Sequence, residues 1–119
     1  MYNHVETKTG QPPLLRRAIA YIHENAHRDI TLSDIASYVN VSPRSVQYTF
    51  RRHLATTPLE YLRAVRLDRA HRELLAADPS VDTVMAIAGR WGFSHAGRFS
   101  SVYKETFGTP PSRTLRGNR

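Results

Sequence analysis

The sequence predicts an all-α fold, with two helix-turn-helix subdomains joined by a long linker helix and about seven helices in all. Apolar residues recur at steps of three and four, the period of an amphipathic helix, and no segment alternates as a strand does. Helix start signals recur between these segments, and two stretches of the chain resemble each other. We therefore divide the chain into a disordered lead-in, a first helix-turn-helix subdomain, a linker helix, and a second helix-turn-helix subdomain with a basic tail, at residues 1–12, 13–56, 57–78 and 79–119.

Three helices are predicted in the first subdomain. The first follows the proline pair at 12–13 and carries an apolar stripe of leucine, alanine and isoleucine. Thr31 and Asp34 have the spacing of a capping box, so they open the second helix, and Asn40 ends it. Ser42 is followed by proline, which is an N-cap followed by the favoured first helical residue, and this pair opens the third helix.

The same start signals recur in the linker helix and in the second subdomain. Thr57, with proline next and Glu60 completing a capping box, opens the linker helix, which ends at an Asp-Pro pair. We expect Ser80 to begin the fifth helix and Ser94 to cap the sixth, which Gly108 ends. A proline pair then begins a short last helix before the basic tail.

An internal repeat relates the segments TLSDIASYVNVSPRSVQYTFRRHLATTP and TVMAIAGRWGFSHAGRFSSVYKETFGTPP. Ile35 matches Ile87 at an offset of 52 (87 − 35), whereas Phe50 matches Tyr103 at an offset of 53 (103 − 50), which indicates one extra residue in the second turn. Each copy has a short helix with a small inward alanine, a tight turn, and a longer helix with an apolar inner stripe. This is the helix-turn-helix pattern, whose second helix can enter the major groove of DNA.

The length of the linker helix fits this interpretation. A helix of about 20 residues is roughly 30 Å long. Major-groove faces on one side of B-DNA recur every 34–36 Å or so. We therefore expect one chain to place two recognition helices on consecutive turns of DNA without forming a dimer.

The charge balance favours a polyanionic partner. The sequence has 17 Lys and Arg against 10 Asp and Glu, which gives a net charge of +7. Nucleic acid and an acidic membrane face are both candidate partners. The alternative is that the excess of arginine reflects an arginine-rich proteome and has no functional role. The absence of cysteine excludes disulfides, thiol catalysis and thiolate metal sites. We expect no cofactor, no membrane partner and, because no signal pattern begins the chain, a cytoplasmic location at the bacterial nucleoid.

Two long stretches carry a family resemblance: DITLSDIASYVNVSPRSVQYTFRRHLATTPLEYLRAVRLDRAHREL and RWGFSHAGRFSSVYKETFGTPPSRTLR. From about residue 14 to residue 116 the chain resembles the C-terminal DNA-binding domain of the AraC/XylS family of bacterial transcription regulators. The HAGRF and PSRTLR variants are closer to the XylS-like branch of that family than to the arabinose regulator.

The resemblance implies seven helices, two helix-turn-helix subdomains and monomeric binding to a bipartite, non-palindromic site in double-stranded DNA. It also implies activation of transcription, which many members achieve by contacting RNA polymerase. Most members carry an additional N-terminal effector-binding or dimerisation domain. The chain is therefore interpreted either as a single-domain member or as a fragment of a longer regulator.

The first recognition helix is predicted at residues 42–52. Arg44 suits the guanine edge, Gln47 suits the adenine edge, and Tyr48 can reach a phosphate or pack on a thymine methyl group. Arg51 and Arg52 suit the phosphate backbone. The alternative for all of these residues is that they form a solvated helix face with no role in DNA binding. The predicted DNA-binding residues of this helix are Ser42, Arg44, Ser45, Gln47, Tyr48, Arg51 and Arg52.

The second recognition helix, predicted at residues 95–107, is chemically poorer. The commoner family form has an arginine where Ser101 stands, so Arg98 is expected to substitute from the same face, and Lys104 is expected to meet phosphate. We hypothesise that the first unit supplies most base specificity, while the second positions and bends the DNA. The predicted DNA-binding residues here are Ser94, His95, Gly97, Arg98, Ser100, Ser101 and Lys104.

One motif points to a different class of function. His23, Glu24 and His27 match H-E-x-x-H, the zinc-protease motif, in which two histidines one helical turn apart ligate zinc. Here the motif falls at the end of a short helix, and Ile30 and Ser33 stand where a metzincin has Gly and His. We therefore predict no metal and no catalysis.

Two smaller alternatives concern binding. Trp91, beside a glycine, is expected in the core of the second subdomain, although an exposed tryptophan could stack on a base. A protein-interaction module is the second rival, in which one helix-turn-helix contacts polymerase or another factor. A steep dependence of affinity on salt separates DNA binding from that role.

Overall fold

The computed structural model describes residues 10–117, which form seven helices and contain no strand. The described chain packs into two compact units, one up to Arg63 and one from Ala64 onward, with the boundary inside the fourth helix. The prediction of an all-α fold with seven helices is confirmed. Of the lead-in expected at residues 1–12, residues 1–9 lie outside the described part of the chain. The helices are α1 Pro13–Asn25, α2 Leu32–Val39, α3 Pro43–Leu54, α4 Pro58–Ala76, α5 Val84–Arg90, α6 Ala96–Phe107 and α7 Pro111–Arg116.

The helix starts of the first unit follow the predicted caps. The Asp34 amide donates to Thr31 Oγ1 over 3.1 Å, and the Thr31 amide donates to Asp34 Oδ2 over 2.8 Å, so both bonds of the capping box are formed. The Ser45 amide donates to Ser42 Oγ at the start of α3. Asn40 adopts a left-handed backbone conformation with φ of 61°, which ends α2 and turns the chain toward α3.

Apolar residues from all the helices of the first unit form its core. Ile35 on α2 and the inner residues Val46 and Phe50 of α3 are fully buried. The Phe50 ring meets the ring of Tyr61 edge-on, with centroids 5.9 Å apart. Because α3 is anchored through these side chains, its opposite face is held outward in a fixed orientation.

Two predicted helix starts in the second unit are wrong. Ser80 does not begin α5, because the Asp78 side chain accepts hydrogen bonds from both the amide and the hydroxyl of Ser80 and holds that residue in a turn. The N-cap is Thr83, whose Oγ1 accepts from the Ala86 amide over 3.1 Å. Ser94 does not cap α6 either, because the longer turn of the second unit places His95 at that position.

Buried aromatic rings dominate the core of the second unit. Phe99 and Tyr103 on α6 pack with Leu74 of α4 and with Ile87 and Ala88 of α5. The tyrosine brings one hydroxyl group into this core, and that hydroxyl must find partners because unsatisfied buried polar groups are costly. It lies between two side chains that supply them.

A buried hydrogen-bond chain joins α4, α6 and α7 within the second unit. The Tyr103 hydroxyl donates to Thr114 Oγ1 over 2.9 Å and forms a second hydrogen bond with Nδ1 of His71 over 2.7 Å. The His71 ring also stacks on Phe107 with centroids 3.9 Å apart. Burial lowers the pKa of His71, while the nearby Asp68 raises it to a smaller extent.

This pKa shift predicts that the stability of the second unit depends on pH. Because the pKa of His71 is lower in the folded chain than its ordinary value of 6.5, the unfolded chain binds the proton more readily. The free energy of unfolding is therefore expected to decrease as pH falls below about 6.5. Urea titrations at pH 7 and pH 5 should give a smaller difference for His71→Asn than for the wild type. His53→Asn, at an exposed position of α3, is the control, and an equal effect from both substitutions would contradict the prediction.

Candidate nucleic-acid interface

The two helix-turn-helix units are alike in their parts. In the first, α2 has 8 residues and α3 has 12; in the second, α5 has 7 residues and α6 has 12. Helices α3 and α6 begin 53 residues apart (96 − 43), as the repeat predicts. The inward alanines Ala36 and Ala88 are both 2% exposed, which lets the paired helices approach closely. The turn of the second unit is two residues longer than that of the first, and α5 is one residue shorter than α2, so the second copy has a net insertion of one residue.

Helix α3 has a sharply divided surface. Its buried residues face the core, and the outer positions are all exposed to solvent. Arg44, Gln47 and Tyr48 have no hydrogen-bond or ion-pair partner among residues 10–117, so their polar groups are available to a ligand. The residues that the structure places on this outer face are Ser42, Arg44, Ser45, Gln47, Tyr48, Arg51 and Arg52.

Ser42 and Ser45 also have a structural role at the start of α3. Ser42 Oγ accepts from the Ser45 amide and donates to Ser45 Oγ, both over 3.1 Å. The first of these bonds satisfies an amide that has no partner inside the helix. The hydroxyl of Ser42 therefore orients the first turn of α3, and the side chains of Arg44 and Gln47 project from a fixed backbone.

Positive charge is concentrated at the C-terminal end of α3. Arg51, Arg52 and His53 occupy the last turn, where a cation is favoured by the helix dipole. The pKa of the Glu60 carboxyl is lowered chiefly by the hydrogen bond that it accepts from the Thr57 backbone amide. The positive charge of Arg51 also lowers this pKa, to the smallest extent of the causes. The turn thus offers cationic side chains at the surface.

Helix α6 carries fewer long polar side chains than α3. His95 occupies the N-cap without a side-chain capping bond, and Gly97 in the first turn has no atom within 4 Å of the position that a Cβ would take. Ser100 is only partly exposed. The predicted residues that lie exposed are Ser94, His95, Gly97, Arg98, Ser101 and Lys104.

A charged network that sequence analysis missed fixes the turn before α6. Glu73 accepts from Nε1 of Trp91 and from Nε of Arg90, each over 2.7 Å, and Arg90 also pairs with Asp82. Arg69 lies over the indole ring at 5.8 Å. Trp91 itself is half buried and packs against the core, as expected. Glu73 lies on α4, 18 residues before the tryptophan that it contacts, so no local sequence signal indicated this bond.

The H-E-x-x-H segment lacks the geometry that its motif requires. Helix α1 ends at Asn25, so His27 lies two residues beyond the helix that, in this motif, carries both histidines. His23 instead contacts the Tyr61 hydroxyl, with Nε2 and the oxygen 2.9 Å apart. Within residues 10–117, no three His, Cys, Asp or Glu side chains are grouped as metal ligands would be.

Across residues 10–117, every helix is too short or too polar to cross a bilayer.

Comparison with known proteins identifies the family. A family model described as a helix-turn-helix domain matches residues 35–117. The chain is 43% identical over 111 residues to the probable thc operon regulatory protein of Rhodococcus erythropolis, covering 93% of this chain and 33% of that protein. It is 38% identical over 104 residues to the XylDLEGF operon transcriptional activator 1 of Pseudomonas putida, covering 87% of this chain and 31% of that protein. The chain thus spans about a third of the length of these relatives.

A solved structure supports the same assignment. The crystal structure of a probable AraC family transcriptional regulator from Rhodopseudomonas palustris is similar, with a TM-score of 0.82 and 34% identity. The match covers 91% of this chain and 99% of that one. The resemblance found in the sequence is therefore confirmed: the chain belongs to the AraC/XylS family of helix-turn-helix transcription regulators.

Proposed function

We propose that this chain binds double-stranded DNA sequence-specifically as a bacterial transcription regulator, with α3 and α6 each entering a major groove of a bipartite site. The observation that carries the proposal is the outer face of α3. Arg44 and Gln47 are exposed there without partners in residues 10–117, on a helix whose other face is anchored in a core. A rigid helix that presents arginine and glutamine suits the edges of guanine and adenine.

The two recognition helices have different roles in this proposal. Helix α3 reads bases through Arg44, Gln47 and Tyr48, and its last-turn arginines contact phosphates. Helix α6 offers Arg98, Lys104 and two small serines, so it mainly holds and bends the DNA. This division is supported by the outer side chains: α3 presents arginine, glutamine and tyrosine, whereas α6 presents mainly serine with one arginine and one lysine.

The regulatory outcome is proposed to be activation. The relative from Pseudomonas putida is called an operon transcriptional activator, and the chain is similar to its equivalent portion. In this role the chain binds its site as a monomer at the bacterial nucleoid and contacts RNA polymerase. It acts by binding and not by catalysis, in keeping with the transcription regulators of its family.

Salt dependence tests the proposal against a protein-interaction role. If Arg51, Arg52, Arg98 and Lys104 each neutralise one phosphate, log K should fall against log salt with a slope of about −3.6. That slope corresponds to an affinity loss of about 150-fold between 50 and 200 mM salt. Fluorescence anisotropy with a labelled duplex measures it. A flat response, with weak binding throughout, would favour the protein-interaction module.

Gly97 gives a test of close approach to DNA at α6. A Cβ at Gly97 would meet no protein atom within 4 Å, so alanine fits the fold and should stabilise the helix by about 0.5–1 kcal/mol. On DNA, however, the added methyl group would stand in the first turn of the recognition helix, and affinity should fall severalfold. Gly89→Ala is the matched control, because Gly89 on α5 is equally open. If the two variants bind DNA alike, the first turn of α6 does not approach the DNA.

A further inference from the structure

A shallow depression lies on the exposed face of α3. It is lined by Arg44, Ser45, Tyr48 and Thr49. These residues form two adjacent pairs four positions apart, so their side chains stand next to one another on successive helical turns. The depression is therefore part of the same surface as the base-reading residues.

Two of the three hydroxyl groups at this depression, those of Ser45 and Thr49, form hydrogen bonds within α3 or with its N-cap. Thr49 Oγ1 donates to the Ser45 carbonyl over 2.9 Å. With its hydroxyl proton used in this bond, the Thr49 side chain contributes its methyl group to the depression. Ser42 donates its proton to Ser45 Oγ. Tyr48, which is 64% exposed, adds an aromatic ring that makes no ring contact within residues 10–117. Carbon surface from Tyr48 and Thr49 is thus presented between polar groups.

We infer that this depression receives the C5-methyl group of a thymine, so that Tyr48 and Thr49 select thymine at one position of the DNA site; the inference rests on the proposed function. Thymine is the base that presents a methyl group in the major groove, and threonine methyl groups and aromatic rings make apolar contacts with it. The Thr49 proton is already donated to the Ser45 carbonyl, so this side chain offers the DNA a methyl group and not a hydrogen-bond donor.

Removing single methyl groups from the DNA tests the inference. The probe is the duplex enriched from a random pool, with each thymine replaced in turn by deoxyuridine, which lacks only the C5-methyl group. For the wild-type chain, one thymine position is expected to show an increase in Kd of about fourfold, the effect of one buried methyl-sized group. Thr49→Ser removes the protein's methyl group and keeps the hydroxyl, and it should reduce this penalty to below about 1.5-fold. Tyr48→Ala should reduce it as well.

Thr106→Ser is the matched control. Thr106 on α6 also donates its hydroxyl to the carbonyl four residues earlier, over 2.9 Å, and is exposed, so its replacement should leave the penalty unchanged. Specific binding without any methyl-sensitive thymine would overturn the inference alone, as would an equal penalty in the wild type and Thr49→Ser. Failure to enrich or bind any duplex would overturn the proposed function as well.

Discussion

Replacement of Arg44 with alanine is expected to lower affinity for the preferred DNA site by about 5–150-fold and to relax the preference at one base pair. This range corresponds to about 1–3 kcal/mol, the discrimination that one bidentate contact to a base provides. The guanidinium is exposed on α3 and has no partner within residues 10–117, so its removal should not disturb the fold. Binding to a panel of single-base variants of the site measures both effects.

Substitutions at Arg52 and Arg98 provide the contrast for that result. Each removes one exposed cation that we assign to the phosphate backbone, so Arg52→Ala and Arg98→Ala should weaken all sites similarly and lower the salt slope by about 0.9. Loss of sequence preference from Arg98→Ala equal to that from Arg44→Ala would contradict the proposed division between the two recognition helices.

Phe50→Ala is expected to cause the largest loss of stability, about 3–5 kcal/mol. The Phe50 ring is fully buried in the core of the first unit, and truncation removes its contact with Tyr61 and leaves a cavity. Urea unfolding followed by far-ultraviolet circular dichroism measures the change.

Tyr48→Ala is the control for this prediction, since Tyr48 lies two positions earlier on the exposed face of the same helix. It should change the free energy of unfolding by no more than about 0.5 kcal/mol, yet weaken DNA binding. Similar stability losses from both substitutions would contradict the separation of α3 into an anchoring face and a binding face.

Local sequence signals predicted most helix starts because the interactions that form them are local. Thr31 with Asp34, and Ser42 with proline next, each cap a helix within three residues. The same reasoning failed at Ser80, where Thr83 caps the helix instead, and at Ser94, where the longer turn of the second unit places His95 at the N-cap. At Ser80 the Asp78 side chain forms the turn instead.

At the candidate site, too, features set by local sequence could be predicted, whereas contacts that depend on tertiary packing could not. The period of α3 was enough to place Val46 and Phe50 inward and Arg44 outward, because side-chain direction follows helix geometry. In contrast, the bonds from Glu73 to Arg90 and Trp91 span 17 and 18 residues, and they depend on how α4 packs against the turn before α6. No local pattern encodes a contact of that kind.

Selection of binding sites from random duplex DNA tests the central claim most directly. At about 0.15 M salt, nonspecific attraction to phosphates is already screened, so enrichment reports sequence recognition. We predict two enriched sequence boxes about one helical turn apart, one for each recognition helix. Recovery of a pool with no enriched sequence, from a chain that is folded, would contradict sequence-specific DNA binding by this protein.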